Sequence, residues 1–286
     1  MKIIDAHIHL SHIETFQHTA KHISDVDYSY KGLRKEMEQC DISLAIGMGI
    51  REIEGGEGFP DSLPRTPMGM DMMPASSDSV VYCAGVNPYR LQKQELLHLE
   101  NELLKPEVVG IKIYLGYYPF YAHDKVYESV YKLAKLHRIP VIFHSGDTYS
   151  ERGLLKYAHP LTLDEVAVKH REVTFVMAHF GDPWMLDAAE IIYKNSNMYA
   201  DLSGLIVGDE EEVSRILRTP HYFDHFKHAF AYCDNYDKFM FGTDWPLVKI
   251  KPYIDFIQSY VPSSSWNDVF YNTACHVYPK IKQYLR

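Results

Sequence analysis

Eight short apolar runs, separated by stretches of helical periodicity, constrain the fold of this chain more than any other feature. The strand-like runs cover 2–10, 42–50, 80–88, 108–116, 140–146, 173–181, 197–205 and 238–246. Between them, segments such as LQKQELLHLENELL, VYESVYKLAKLHR, LTLDEVAVKHR and MLDAAEIIYKN repeat apolar residues at helical spacing. Eight strands, most followed by a helix, predict the α/β class and a parallel sheet closed into a (β/α)8 TIM barrel. An open doubly wound sheet competes, but no Gly-x-Gly-x-x-Gly follows the first strand. The length fits one barrel domain over 1–286. Residues 51–79, rich in Gly, Pro and Met, break the rhythm as a loop inserted after the second strand. They read either as a mobile wall or lid at the barrel's C-terminal face, or as simple disorder.

Polar residues interrupt the apolar runs at their C-terminal ends: Asp5, His7 and His9 in the first run, His144 in the fifth, His179 in the sixth and Asp244 in the eighth. Strand alternation puts Asp5, His7 and His9 on one face, and Ile4, Ala6, Ile8 and Leu10 on the other, toward the helices. Imidazoles and carboxylates are costly to bury unless they are paired or bound to a metal. In such barrels the active site gathers where the strand C-termini converge. The pattern therefore predicts a metal centre at one mouth. Nitrogen and oxygen donors without thiolate suit a divalent ion, Zn2+ first, with Mn2+, Fe2+ or Co2+ as alternatives.

Composition narrows the partners. A net charge of -9 disfavours nucleic acid and anionic membrane surfaces, which need a basic face. Cys40, Cys83, Cys233 and Cys275 are widely spread without a C-x-x-C, and are expected to be reduced. The chain opens directly into MKIIDAHIHL, and no run approaches the ~20 apolar residues of a membrane span. The expectation is a cytoplasmic protein with a small-molecule substrate and no membrane or nucleic-acid partner.

The motifs D-x-H-x-H in the first strand, F-H-S-G-D in the fifth, A-H-F-G in the sixth and G-T-D-W-P in the eighth resemble the amidohydrolase superfamily. The nearest branch is the amidohydrolase-related (type 2) family, which includes aminocarboxymuconate semialdehyde decarboxylase and related non-oxidative decarboxylases. The likeness spans nearly the whole chain. GIKIYLGYYPFYAHD fits it as well, while FYNTACHVYP follows the usual closing motif only loosely, with His276 at the family's arginine position. The resemblance implies that His7, His9, His144 and Asp244 hold one metal ion and that His179 sits beside it. It also implies catalytic roles for Asp244, as proton shuttle, and for His179, as donor to an oxyanion. A homodimer is expected by family habit alone.

Lys112 and Tyr114 face inward on the fourth strand, opposite Val109, Ile111, Ile113 and Leu115. Lys112 reads as a binder of a substrate carboxylate or a member of a structural ion pair, ahead of a carboxylated bridge between two metals. Tyr114, Arg152 and Trp245 are further candidates for substrate contact. Asp201 is placed to orient a ligand or bind substrate, and Asp5 to hold the first-strand imidazoles from behind. The tyrosines at 114, 117, 118 and 121 suggest either an aromatic pocket or rim packing. The leading functional expectation is metal-dependent hydrolysis of a small carboxylate-bearing lactone, ester or amide. Non-oxidative decarboxylation in the same site is the runner-up, and a catalytically silent ligand-binding barrel is the reading of another class.

Overall fold

The computed structural model describes residues 1–51, 70–74 and 77–285. All eight expected strands form: β1 (Ile3–Ile8), β2 (Ile42–Met48), β3 (Val80–Gly85), β4 (Val108–Ile113), β5 (Val141–Phe143), β6 (Phe175–Met177), β7 (Met198–Asp201) and β8 (Phe239–Met240). They lie in chain order, each parallel to the next. The ring closes between β1 and the residues after β8. Ala6 N–H donates to the Phe241 carbonyl (2.9 Å), His9 N–H to that of Trp245 (2.8 Å), and Asp244 N–H to that of His7 (2.8 Å).

The strands are shorter than the apolar runs that announced them, because the C-terminal part of each run leaves the ladder. His144, His179 and Asp244 all lie just beyond the last paired residue of their strands. Almost every strand residue is buried, as expected for parallel strands covered on both faces. One apolar layer, including Ile8, Leu10, Ile111, Ile113, Phe143 and Phe175, packs between the barrel wall and the helices. A second, including Ile4, Ala6, Leu44, Ile46, Val81, Val109, Ile142 and Val176, fills the barrel. Ala274, Val277, Tyr278 and Ile281 of the C-terminal segment join this second cluster and plug the barrel at the strands' N-terminal ends. The open mouth is the other end.

Two face assignments need correction. Ile4 and Ala6 point into the barrel rather than toward the helices, because the pairing of β1 with β2 slips between Asp5 and Ile8. The slip inverts the alternation, so the apolar side chains at positions 4 and 6 and the imidazoles at 7 and 9 share the interior. Val109 also faces inward, beside a register slip between β3 and β4.

The loop expected over 51–79 falls largely outside the described residues, and the reading as wall or lid with it. At its described end Met70 is buried and Met72 N–H donates to the Leu10 carbonyl (3.1 Å). After β7, the helix Glu210–Arg218 starts at Asp209, whose carboxylate accepts from Glu212 N–H (2.9 Å). Three glutamates in its first turn favour the same start, since negative charge is stabilising at a helix N-terminus. This helix brings Glu212 and Ile216 to the mouth. The four cysteines are free. Among the described residues no helix is long and apolar enough to cross a membrane.

Candidate metal centre

His9, His144, His179 and Asp244 line one pocket of about 320 Å³ at the barrel mouth, and His7 lies fully buried beside them. His7 and His9 have ring centroids 5.5 Å apart, His7 and His179 4.9 Å, and His144 and His179 5.0 Å. Two of the groups arrive on unusual backbone. His179 (φ 60°) and Asp244 (φ 61°) are left-handed, which costs a non-glycine residue roughly 1–2 kcal/mol. Such backbone persists where surrounding contacts over-determine it, and functional sites are where it clusters.

Hydrogen-bond partners fix which ring nitrogens carry protons. His7 Nδ1 lies 2.8 Å from Asp201 Oδ2. An ionised carboxylate only accepts, so Nδ1 holds the proton and Nε2 keeps its lone pair. That Nε2 sits 3.5 Å from Asp244 Oδ1, another acceptor. Both atoms are buried and neither has a hydrogen-bond partner among the described residues. His9 Nε2 approaches the same Oδ1 to 3.1 Å without giving it hydrogen-bond geometry. A divalent cation satisfies such a convergence of lone pairs, and the carboxylate behind His7 is the support that metal-bound histidines usually have.

A second arrangement of acceptors adjoins the first. His144 Nε2 donates to the Asp147 carbonyl (2.8 Å), and His179 Nδ1 donates to the Ser203 carbonyl (3.1 Å) and Oγ (2.9 Å). The remaining nitrogens, His144 Nδ1 and His179 Nε2, face each other at 3.2 Å, and both carry lone pairs when the rings are neutral. Burial keeps them neutral, pushing His144 well below its usual range and His179 down to about 4.

His7, His9 and Asp244 place ligand atoms within 4.8 Å of one another, as do His7, His179 and Asp201. The second trio is already saturated. Asp201 Oδ1 accepts from His179 N–H (3.0 Å), Ser203 N–H (3.2 Å) and Ser203 Oγ–H (2.5 Å), while Oδ2 takes His7 Nδ1–H. The trio of His7, His9 and Asp244 is therefore the better fit for a cation, with His144 adjoining it through His179.

Lys112 lines the pocket fully buried, and its Nζ has no hydrogen-bond partner among the described residues. It sits 5.2 Å from the centroid of the Tyr114 ring. Burial pulls its pKa down to about 8, against the opposing charges of Asp201 and Asp244. The expected ion-pair partner does not occur among the described residues. Tyr114 also lines the pocket, with its hydroxyl donating to the carbonyls of Met48 (3.2 Å) and Gly49 (3.0 Å).

Three expectations fail on geometry. Trp245 is buried in the layer outside the barrel and donates from Nε1 to Glu36 Oε1 (3.1 Å), so it forms no pocket wall. Arg152 is exposed and lies outside the pocket lining. Asp5 grips no imidazole. It accepts from the backbone N–H of His7 (3.2 Å) and from Thr243 N–H (3.0 Å) and Oγ1 (2.6 Å), tying β1 to the residues after β8. His276 is exposed on the C-terminal segment that plugs the other end, away from the mouth.

Other residues escaped the sequence reading. Gly204 lines the pocket at φ +67°, where a Cβ would stand 2.7 Å from His179 Nδ1 and 3.0 Å from Asp244 Oδ2. Its only sequence signal is a glycine just past a strand end. Of the four tyrosines, Tyr114 and Tyr117 line the pocket, and the Tyr117 ring meets His144 edge-on at 4.8 Å.

A family model described as amidohydrolase matches residues 4–261. No curated protein matches the chain. Among solved structures, an uncharacterized TIM-barrel protein from Bordetella bronchiseptica is similar with TM-score 0.72 and 16% identity, over 98% of this chain and 99% of its own. A probable 2-pyrone-4,6-dicarboxylic acid hydrolase from Acinetobacter baumannii, with citric acid bound, is similar with TM-score 0.65 and 16% identity, over 97% and 99%. A 5-carboxyvanillate decarboxylase from Sphingomonas paucimobilis gives TM-score 0.61 and 12% identity, over 98% of each chain. At these identities the likeness is one of fold.

Proposed function

The chain belongs to the amidohydrolase family, and we propose that it is a metal-dependent hydrolase of a small carboxylate-bearing lactone, ester or amide. One observation carries the reading. His7 Nε2 and Asp244 Oδ1, both acceptors, face each other at 3.5 Å in a buried mouth with His9 beside them. A divalent cation held there, Zn2+ by preference of the donor set, would supply Lewis acidity and would lower the pKa of water to about 7.

His7, His9 and Asp244 would hold the cation, with His144 completing the set that the family resemblance suggests. Lys112 binds the substrate carboxylate in the pocket, supported by the absence of a hydrogen-bond partner for its Nζ among the described residues. Tyr114 and Tyr117 line the pocket around the rest of the substrate. Asp244 takes a proton from the attacking water and returns it to the leaving group. His179 cannot donate from Nε2 while neutral, since its only proton is committed to Ser203. It acts on the oxygen that gains charge only after Nε2 has received a proton. The expected oxyanion donor is thus a proton acceptor in its resting state.

Decarboxylation uses the same ligands and the same carboxylate grip, and a structural neighbour is a decarboxylase. Elemental analysis of the purified protein, combined with turnover assays on lactones, amides and aromatic acids, separates the readings. Water addition without carbon dioxide release supports the hydrolase, and carbon dioxide release supports its rival. Absence of any bound divalent ion at neutral pH, or full activity in Asp244→Asn, would remove both.

A further inference from the structure

Both carboxylate oxygens of Asp201 are engaged within the centre, so it is not itself free to bind a cation. Its two carboxylate oxygens serve two different strands. Oδ2 accepts His7 Nδ1–H at 2.8 Å. Oδ1 accepts the main-chain N–H of His179 at 3.0 Å, together with Ser203 N–H (3.2 Å) and Oγ–H (2.5 Å). Ser203 Oγ in turn lies 2.9 Å from His179 Nδ1. Asp201 and the His7 ring it meets are both buried.

We propose that Asp201 is the positioning residue of this centre, holding His7 in the tautomer that leaves Nε2 bare and fastening the left-handed turn that carries His179. The proposal rests on the reading of His7 as a ligand, but the tautomer claim stands or falls without any metal. An acceptor facing Nδ1 leaves the ring one neutral choice, a proton on Nδ1 and a lone pair on Nε2. The second function follows from backbone geometry. His179 and Phe180 both have positive φ, 60° and 47°, in a four-residue turn directly after β6. Neither is a glycine, so the turn needs an external hold. The bond from His179 N–H to Asp201 Oδ1 provides it from the neighbouring strand β7. Asp201 thereby links the β1 imidazole to the β6 imidazole through one carboxylate.

The two halves of the claim separate experimentally. In Asp201→Asn the amide oxygen can still accept from His179 N–H and Ser203, while the amide nitrogen turns toward His7 and donates to Nδ1. His7 must then carry its proton on Nε2. His179 keeps its proton on Nδ1, because the Ser203 carbonyl at 3.1 Å remains an acceptor. The test is nitrogen-15 NMR of the histidine rings in metal-free protein at pH 8, with Zn2+ affinity measured in parallel by competition with a chelator. The expected result is His7 protonated on Nδ1 in wild type and on Nε2 in Asp201→Asn, with His179 unchanged. Zn2+ affinity should fall roughly 10–100-fold in the variant, as for other residues that support metal ligands from behind. A wild-type His7 protonated on Nε2 overturns the proposal, and so does an Asp201→Asn protein whose His7 tautomer and Zn2+ affinity match wild type. Should the variant fail to fold, the wild-type spectrum alone decides. Should wild type bind no Zn2+ while His7 shows the Nδ1 proton, the hydrolase reading fails and the role of Asp201 in orienting His7 survives.

Discussion

His144 Nδ1 faces His179 Nε2 at 3.2 Å, and every other partner of the two rings draws protons away from that gap. The Asp147 carbonyl accepts the Nε2–H of His144 on one side, and the Ser203 carbonyl accepts the Nδ1–H of His179 on the other. Together with His7 Nε2 and Asp244 Oδ1 this concentrates unshared lone pairs in one mouth. Such a cluster is unfavourable by itself and strongly favourable around a cation.

Divalent ions should therefore stabilise the fold. At about 100 times the dissociation constant, ligand binding to the native state alone adds about 2.7 kcal/mol. For a chain of this size that raises Tm by roughly 5–10 °C. Differential scanning fluorimetry of chelator-treated protein, with and without Zn2+, Mn2+ or Co2+, measures it. No shift with any of the three would contradict the arrangement of acceptors described above.

Lys112 carries the opposite sign. A buried ammonium without a partner destabilises the fold, and Lys112→Met retains the side-chain volume while removing the charge. The folded pKa of about 8 lies below the ordinary 10.5, so between these values the unfolded chain binds more protons and stability rises with pH. The full penalty, about 3 kcal/mol by the size of the shift, applies below pH 8 and disappears above 10.5. Metal-free Lys112→Met should be more stable than wild type at pH 7, with the gap closing toward pH 10.5, in denaturant titrations. Its KM for a carboxylate substrate should rise on the order of 100-fold, from loss of a charge-assisted contact. A pH-independent gap would show that the amine finds a partner in solution.

Glu36 acts behind the centre. Its Oε1 accepts Trp245 Nε1–H (3.1 Å) and its Oε2 accepts Ile250 N–H (2.9 Å). Trp245 follows Asp244 directly, so this brace anchors the residue next to a ligand candidate. Glu36→Ala strands both donors and should cost about 2–4 kcal/mol, with Glu36→Gln recovering about half by keeping one acceptor. Chemical denaturation of the three proteins checks the ranking. Equal stability of all three would mean the brace does not form.

The barrel was readable in the sequence because parallel strands covered on both faces leave continuous apolar runs, and the polar breaks at their ends mark the mouth. His7, His9, His144, His179 and Asp244 stood out for that reason. Side-chain direction was less readable. Alternation assumes an unbroken ladder, and the slip between Asp5 and Ile8 turns Ile4 and Ala6 inward. Trp245 had its place next to Asp244 to recommend it, but neighbouring side chains do not share a face and it packs in the layer outside the barrel. Arg152 had only proximity in sequence to recommend it. Asp201 was legible as an inward carboxylate, but its partners His7, His179 and Ser203 lie on elements that only the closed barrel brings together.

Gly204 gives the sharpest steric test of the centre. Its φ of +67° is disfavoured for any residue with a side chain, and an alanine Cβ would press on His179 Nδ1 and Asp244 Oδ2 at once. The backbone term alone costs roughly 1–2 kcal/mol, which a chain of ordinary stability survives. The catalytic effect should be larger, because displacing reacting groups by ~1 Å can cost 100-fold in rate. Gly204→Ala is thus expected to remain folded by circular dichroism, to bind Zn2+ more weakly, and to lose about 100-fold in kcat/KM on any substrate the wild type turns over. A variant that keeps wild-type Zn2+ affinity and rate would mean that His179 and Asp244 do not stand against this glycine, and the convergence of imidazoles and carboxylate on one cation would have to be redrawn.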